Sequence, residues 1–209
     1  MIISFLSQKG GVSKSTLARA VAVAFAQNDW SVHIADMDFQ QQTSFQWSER
    51  RDELKASPSI SVSTHRRVES ALKCEDSYDL LVVDGRPHAD KDTLLIARTS
   101  NLVVMATGTQ LDDLQPQLNF AHHLVDEGVD QKNILFVVNK AITNKESFRA
   151  ISTIKRWGFN VSENAIPYKT GFINAQDVGL SIIESRFKTL NTQAISAIKD
   201  VTNKAVQHG

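Results

Sequence analysis

Gln8-Lys9-Gly10-Gly11-Val12-Ser13-Lys14-Ser15-Thr16 follows the apolar run Ile2-Ile3-Ser4-Phe5-Leu6 and opens a helical pattern from about Ser15 to Gln27. Strand, tight loop and helix are the setting in which successive backbone N–H groups converge on an anion. The unpaired amides and the macrodipole of a helix N-terminus both favour negative charge there. Glycines at 10 and 11 let the backbone approach phosphate oxygens closely. Lys14 is placed to neutralise β- and γ-phosphates, and the Ser15 hydroxyl to face a Mg²⁺ ion bridging them.

The general phosphate-loop pattern G-x-x-x-x-G-K-[ST] is not met, because Gln8 and Ser13 stand where its two outer glycines belong. A serine at position 13 costs on the order of 1 kcal/mol relative to glycine if that position needs φ > 0. The variant K-G-G-x-x-K-[ST] is met in full by Lys9 to Ser15. It resembles the deviant Walker A loop of the ParA/MinD family of P-loop ATPases. The resemblance implies that ATP lies on Lys9, Gly10, Gly11, Val12, Ser13, Lys14, Ser15 and Thr16. It also implies that Lys9 reaches across an ATP-sandwiched homodimer to the phosphates held by the partner.

Two aspartates follow the second apolar strand, Ser31 to Ala35, in Asp36-Met37-Asp38-Phe39-Gln40-Gln41. At the carboxyl end of a parallel strand beside a phosphate loop, carboxylates two residues apart can do metal and water chemistry. The alternative is that they cap the helix from Thr43. The segment is similar to the family's switch I pattern D-x-D-P-Q, with Phe39 in the proline's place. That similarity implies Asp36 supporting Mg²⁺, usually through water, and Asp38 orienting the attacking water.

Tyr78 to Gly85 reads as a buried central strand ending in Asp84, which in a Walker B arrangement holds the Mg²⁺ shell, with Gly85-Arg86-Pro87 as a switch II turn. Further strands are expected at 60–62, 102–106, 134–140, 159–161 and 165–168. Helices are expected at 43–55, 65–74, 145–157, from Thr170, from about Ser185 to Val206, and around Leu118, Ala121, Leu124 and Val125. Asn139 falls at a strand end, where an amide can pair with a purine edge or cap a turn. The resemblance makes it an adenine contact, with Pro167 and Tyr168 beside it. His122 and His123 are adjacent on one helix, a spacing unsuited to a metal.

With 209 residues, one well-buried domain spanning 1–209 is expected, hiding roughly 70% of its unfolded surface. The alternation of elements gives an α/β fold, a doubly wound, mainly parallel sheet in a three-layer sandwich. The 23 basic and 23 acidic residues cancel, so nothing global draws the chain to nucleic acid or anionic lipid. No basic-then-apolar leader and no 18-residue apolar span occur, which points to the cytoplasm. The lone Cys74 cannot form an internal disulfide or hold an iron–sulfur cluster by itself, and reads as an ordinary thiol.

The first strand begins at once, with no helix-turn-helix region ahead of it, which resembles the small ParA class. That class implies weak ATPase activity until a centromere-binding adaptor completes the geometry. It also implies nonspecific DNA binding and nucleoid association in the ATP-bound state, with Lys155, Arg156, Lys169, Arg186 and Lys188 as candidate contacts. Two other readings stand beside partition or cargo positioning. A MinD-like membrane switch is disfavoured by a last helix lacking large apolar anchors, so no membrane is expected. A small-molecule ATP-dependent ligase of the same broad fold would have no need of Lys9.

Overall fold

The computed structural model of the chain describes residues 1–87 and 90–208. The described residues form seven parallel strands: β1 (Ile2–Leu6), β2 (Val32–Asp36), β3 (Ser61–Thr64), β4 (Leu80–Asp84), β5 (Leu102–Thr107), β6 (Ile134–Val138) and β7 (Asn160–Val161). They lie in the order β3-β2-β4-β1-β5-β6-β7. Side chains alternate across the pleat, so the runs can be continuously apolar only because both faces are covered. Ile3, Phe5, Leu80, Val82, Leu102 and Val104 face one layer, and Ile2, Leu6, Leu81, Val83, Val103 and Met105 the other.

The first layer contains α1 (Lys14–Ala26), α2 (Thr43–Glu53), α7 (Thr170–Asp177) and α8 (Lys188–His208), contributing Leu17, Val21, Trp47, Phe172, Ala194 and Ile198 to its core. The second is built from α3 (Val68–Leu72), α4 (Lys91–Thr99), α5 (Leu111–Asp126) and α6 (Asn144–Arg156), with Val68, Ile96, Leu118, Phe120 and Ile154. The expected doubly wound parallel sandwich is therefore present.

Local departures have local causes. The helix expected over 65–74 is one turn of α3 followed by a 3₁₀ turn at Lys73–Ser77, a polar stretch with no buried residue. The strand expected at 165–168 is reduced to one bridge, Ala141 to Pro167, since proline has no N–H to extend a ladder. Helix α4 went unread; Asp90 caps it by accepting from the Thr93 amide. His122 is packed against Trp157 and Phe159.

Because β4 and β5 both pair with β1, the loop after β1 leaves the middle of the sheet at its carboxyl edge. The register β2–β4 sets Asp36 directly opposite Asp84 at that edge.

Candidate functional site

Two left-handed residues shape the loop from Ser7 to Ser13, Gly11 at φ 78° and Ser13 at φ 74°. Ser13 is the residue before α1, and its hydroxyl caps nothing; the first turn of α1 also carries no acid. The first amides of this helix therefore keep their capacity for an anion. The base of the loop is pinned by Gln117 of α5, a fully buried side chain. Its Oε1 accepts from the Gln8 amide at 2.8 Å, while its Nε2 donates to the carbonyls of Ala106 (3.0 Å) and Leu6 (3.3 Å). From the opposite side, Lys140 Nζ donates to the Gly11 carbonyl at 2.6 Å.

The two lysines of the loop occupy different surroundings. Lys14 is buried at 7% exposure, and burial pulls its pKa below the usual 10.5 against the opposing fields of Asp84, Asp38 and Asp36. Lys9 is half-exposed and turned away from that acid cluster. It pairs with Asp113 of α5 at 2.6 Å, and this hydrogen bond and charge raise its pKa.

Around Lys14 the strand-end carboxylates are held in distinct ways. Asp36 Oδ1 accepts from the Asp38 amide at 3.0 Å, and Oδ2 from the amides of Ser44 (2.8 Å) and Phe45 (3.2 Å). The capping alternative thus holds for Asp36: it closes the N-terminus of α2 from the end of the preceding strand, where Gln42 at φ 49° offers no side-chain cap. Burial first, and then the neighbouring Asp84, push the Asp36 carboxyl up to about 6. Asp84 Oδ2 accepts from the Ser44 hydroxyl at 2.7 Å, whereas the buried Oδ1 has no partner among the described residues.

Ser15 Oγ lies 3.2 Å from the Thr43 hydroxyl, so α1 and α2 meet at this point. An orphaned buried carboxylate oxygen next to a serine hydroxyl, between two acids that repel each other, fits a hard divalent cation. The free Asp84 oxygen, with the Ser15 hydroxyl on the adjoining helix, could hold such an ion, while the oxygens of Asp36 are already engaged by amides. Arg19, which donates to Ser44 Oγ and to Gln176, is brought down to about 10 by burial despite those same acids.

Asp38 opens onto a cleft of about 680 Å³, shared with Phe39, Arg66, Arg86, Pro87 and Asp90. Phe39 is held at the place of the expected proline by the Arg66 guanidinium, 3.8 Å from its ring centroid. Asp90 and Asp92 both accept from Arg86. A Cβ on Gly85 would come within 2.8 Å of the Phe5 carbonyl and 2.7 Å of Leu6, so the turn after β4 requires glycine.

A second recess lies on the other side of the loop, lined by Ser13, Thr16, Asn139, Pro167, Tyr168 and Gln176. Asn139 is buried, and Tyr168 is exposed at its mouth. Residues far apart in sequence, 13 to 16 and 139 to 168, are thus brought together beside the phosphate-type loop. Gln117 and Lys140 belong to no local motif; the one sequence sign for Gln117 is a polar residue on the apolar face of a helix. Of the basic candidates, Lys155 is paired with Glu163, and Arg186 lies over Phe187.

The sequence pattern of the CobQ/CobB/MinD/ParA nucleotide binding domain matches residues 3–182, spanning the loop, both acid-bearing strands and the recess. The chain belongs to this family. Within it, the ParA/MinD resemblance is borne out by relatives along nearly the full length. A curated relative, the maintenance of carboxysome distribution protein A of Gloeobacter kilaueensis, is 26% identical over 188 residues, covering 90% of this chain and 86% of that protein. MinD of Pyrococcus horikoshii, solved with Mg-ADP, superposes with TM-score 0.77 at 14% identity, covering 98% of this chain and 96% of that one. A plasmid partition protein from Borrelia burgdorferi does so at 0.68 and 13%, covering 97% and 98%. At such identities the structural likeness establishes the ParA/MinD fold. Among the described residues, no helix of this family member is long and apolar enough to cross a membrane.

Proposed function

We propose that this chain is a single-domain, ParA-type positioning ATPase, a switch that closes as an ATP-sandwich homodimer and reopens on hydrolysis. The observation that carries the reading is the division of labour between two lysines in one loop. Lys14 is buried among three aspartates in its own site, whereas Lys9 points out of that site toward α5. A lysine turned away from its own phosphates suits a group that completes a partner's site. Support for nucleotide and magnesium comes from the family and from the Mg-ADP complex of the Pyrococcus horikoshii MinD.

In this reading the amides of residues 10–16 and the Lys14 ammonium hold the phosphates. Asn139, with the backbone near Pro167 and Tyr168, receives the adenine. Ser15 and Asp84 would hold Mg²⁺, and Asp36, fixed by three amide hydrogen bonds, would support it. Bound there, the cation would neutralise phosphate charge. Asp38 positions the water, and Lys9 from the other subunit stabilises charge on the γ-phosphoryl. Catalysis of this kind is mostly positioning, so turnover is slow until an adaptor protein fixes the switch segments.

The cargo is a plasmid or chromosome, carried through nonspecific DNA and a centromere-binding adaptor, or another particle moved by the same cycle. The carboxysome distribution relative fits the second form. The test is light scattering with a nonhydrolysable ATP analogue and Mg²⁺, alongside ATPase assays with and without duplex DNA. Dimerisation lost in Lys9→Ala, with analogue binding retained, supports the reading. Unchanged dimerisation and hydrolysis in that variant would favour a small-molecule ligase. ATP-dependent sedimentation with liposomes in place of DNA retention would favour a membrane switch.

A further inference from the structure

At the outer edge of the sheet, β2 and β3 bring two histidines and the single cysteine together. His33 is buried at 4% exposure; His65 follows β3, and Cys74 lies in the 3₁₀ turn after α3. One ligating atom from each can be chosen so that all three lie within 4.8 Å of one another. The Nε2 atoms of His33 and His65 converge on the same Ser63 hydroxyl, at 2.8 and 2.7 Å, and Cys74 Sγ is 3.9 Å from His65 Nε2. The other ring nitrogens are each engaged by a hydroxyl oxygen, Nδ1 of His33 at Ser61 (2.9 Å) and Nδ1 of His65 at Ser70 (3.2 Å).

The Ser63 hydroxyl can accept from one imidazole and donate to the other, so it holds both Nε2 atoms turned toward one point. A tetrahedral zinc ion with Zn–N about 2.0–2.1 Å and Zn–S about 2.3 Å requires ligand atoms about 3.3–3.7 Å apart. The cysteine–histidine pair is already close to that spacing. The wider separations, at most 4.8 Å, need to close by up to about 1.5 Å, with the Ser63 hydroxyl rotating out of the gap. The outer nitrogens are anchored as metal-ligating histidines require, each ring fixed through its Nδ1.

We propose that His33, His65 and Cys74 form a mononuclear zinc site, with a water as fourth ligand. Two imidazoles and a thiolate select a borderline-soft ion over magnesium or calcium. Both imidazoles are kept neutral by burial, His33 down to about 4, which leaves lone pairs for a metal at neutral pH. Burial raises the Cys74 thiol, so binding releases its proton to solvent: one Zn–S bond forms as one S–H bond breaks. The site adjoins switch I, because the His65 amide donates to the Asp36 carbonyl at 2.9 Å and Arg66 stacks on Phe39. It does not depend on the nucleotide reading.

The full chain, stripped with a chelator, is titrated with Zn²⁺ against a chromophoric competitor and with Co²⁺ as a spectroscopic stand-in. One equivalent per chain is expected, with the thiolate-to-cobalt charge-transfer absorption of a tetrahedral ion and a Tm that rises with free zinc. Cys74→Ser loses the charge-transfer band. His65→Gln and Cys74→Ser each weaken zinc about 100-fold or more, since even outer-shell partners are worth 10–100-fold. Asp84→Asn keeps the band, because metal held by the acid cluster has no sulfur ligand. The proposal is overturned by substoichiometric zinc, by a cobalt complex without the band, or by wild-type affinity in either variant. Cooperative melting of the metal-free variants verifies that they are folded.

Discussion

Ser13 takes the left-handed conformation that glycine adopts without strain, and it does so at the residue on which the loop turns into α1. Ser13→Gly is expected to stabilise the protein by about 1 kcal/mol, raising Tm by about 2–4 °C for a chain of this size in a thermal melt. The requirement was visible in the sequence as a missing glycine, although the angle itself was not. The acids differ in this respect. Strand-end aspartates announce themselves, but the pairing of Asp36 with Asp84 depends on a register between strands far apart in sequence.

That pairing has a pH consequence. The folded Asp36 carboxyl titrates near 6, above its ordinary 3.8, so between those values the native state holds a proton that the unfolded chain has released. The contribution of Asp36 to the stability of the metal-free protein is therefore full below this window and is lost as pH rises through it. Urea unfolding midpoints at a series of pH values check this, and Asp36→Asn is expected to flatten the slope.

At the scale of elements, α2 is fastened at both ends by groups outside it. Its start is closed by Asp36. Farther along, Trp47 Nε1 donates to the Leu180 carbonyl, and the fully buried Arg51 makes paired bonds to Glu184 at 2.9 Å and one to the Gly179 carbonyl. Gly179, at φ 81°, allows this approach: a Cβ there would lie 2.3 Å from the Arg51 amide nitrogen. Glu184→Ala would leave a buried guanidinium short of its counter-charge, at a cost of about 3–5 kcal/mol read as a lowered denaturation midpoint.

The sequence showed α2 as a polar helix carrying two aromatics, and nothing local revealed that Arg51 points inward. The nearest hint is its place four residues after Trp47, one turn along the same face. Helix α4 escaped notice because its three consecutive apolar residues, Leu94 to Ile96, obscure the helical period.

For the whole molecule, the central strands were legible because a parallel sheet covered on both faces demands unbroken apolar runs, and those runs end in the residues that build the site. The edges were less so, since β3 and β7 are short and partly polar and their pairing depends on neighbours. The same scale governs assembly. In the proposed dimer, each Lys9 must leave Asp113 for the other subunit. Asp113→Asn is expected to lower the protein concentration at which analogue-bound dimers form by at most about fivefold per subunit, the range of an exposed ion pair, measured by sedimentation velocity.

The three amides gathered by Asp36 carry a last consequence. One carboxylate secures the first turn of α2 and also borders the place where a cation fits, so the two claims on it compete. Any pull on that carboxylate toward an incoming ion slackens its grip on Ser44 and Phe45. News of an arriving ligand would then leave the site as a loosened helix start, and deuterium uptake at those two amides is where it would first be heard.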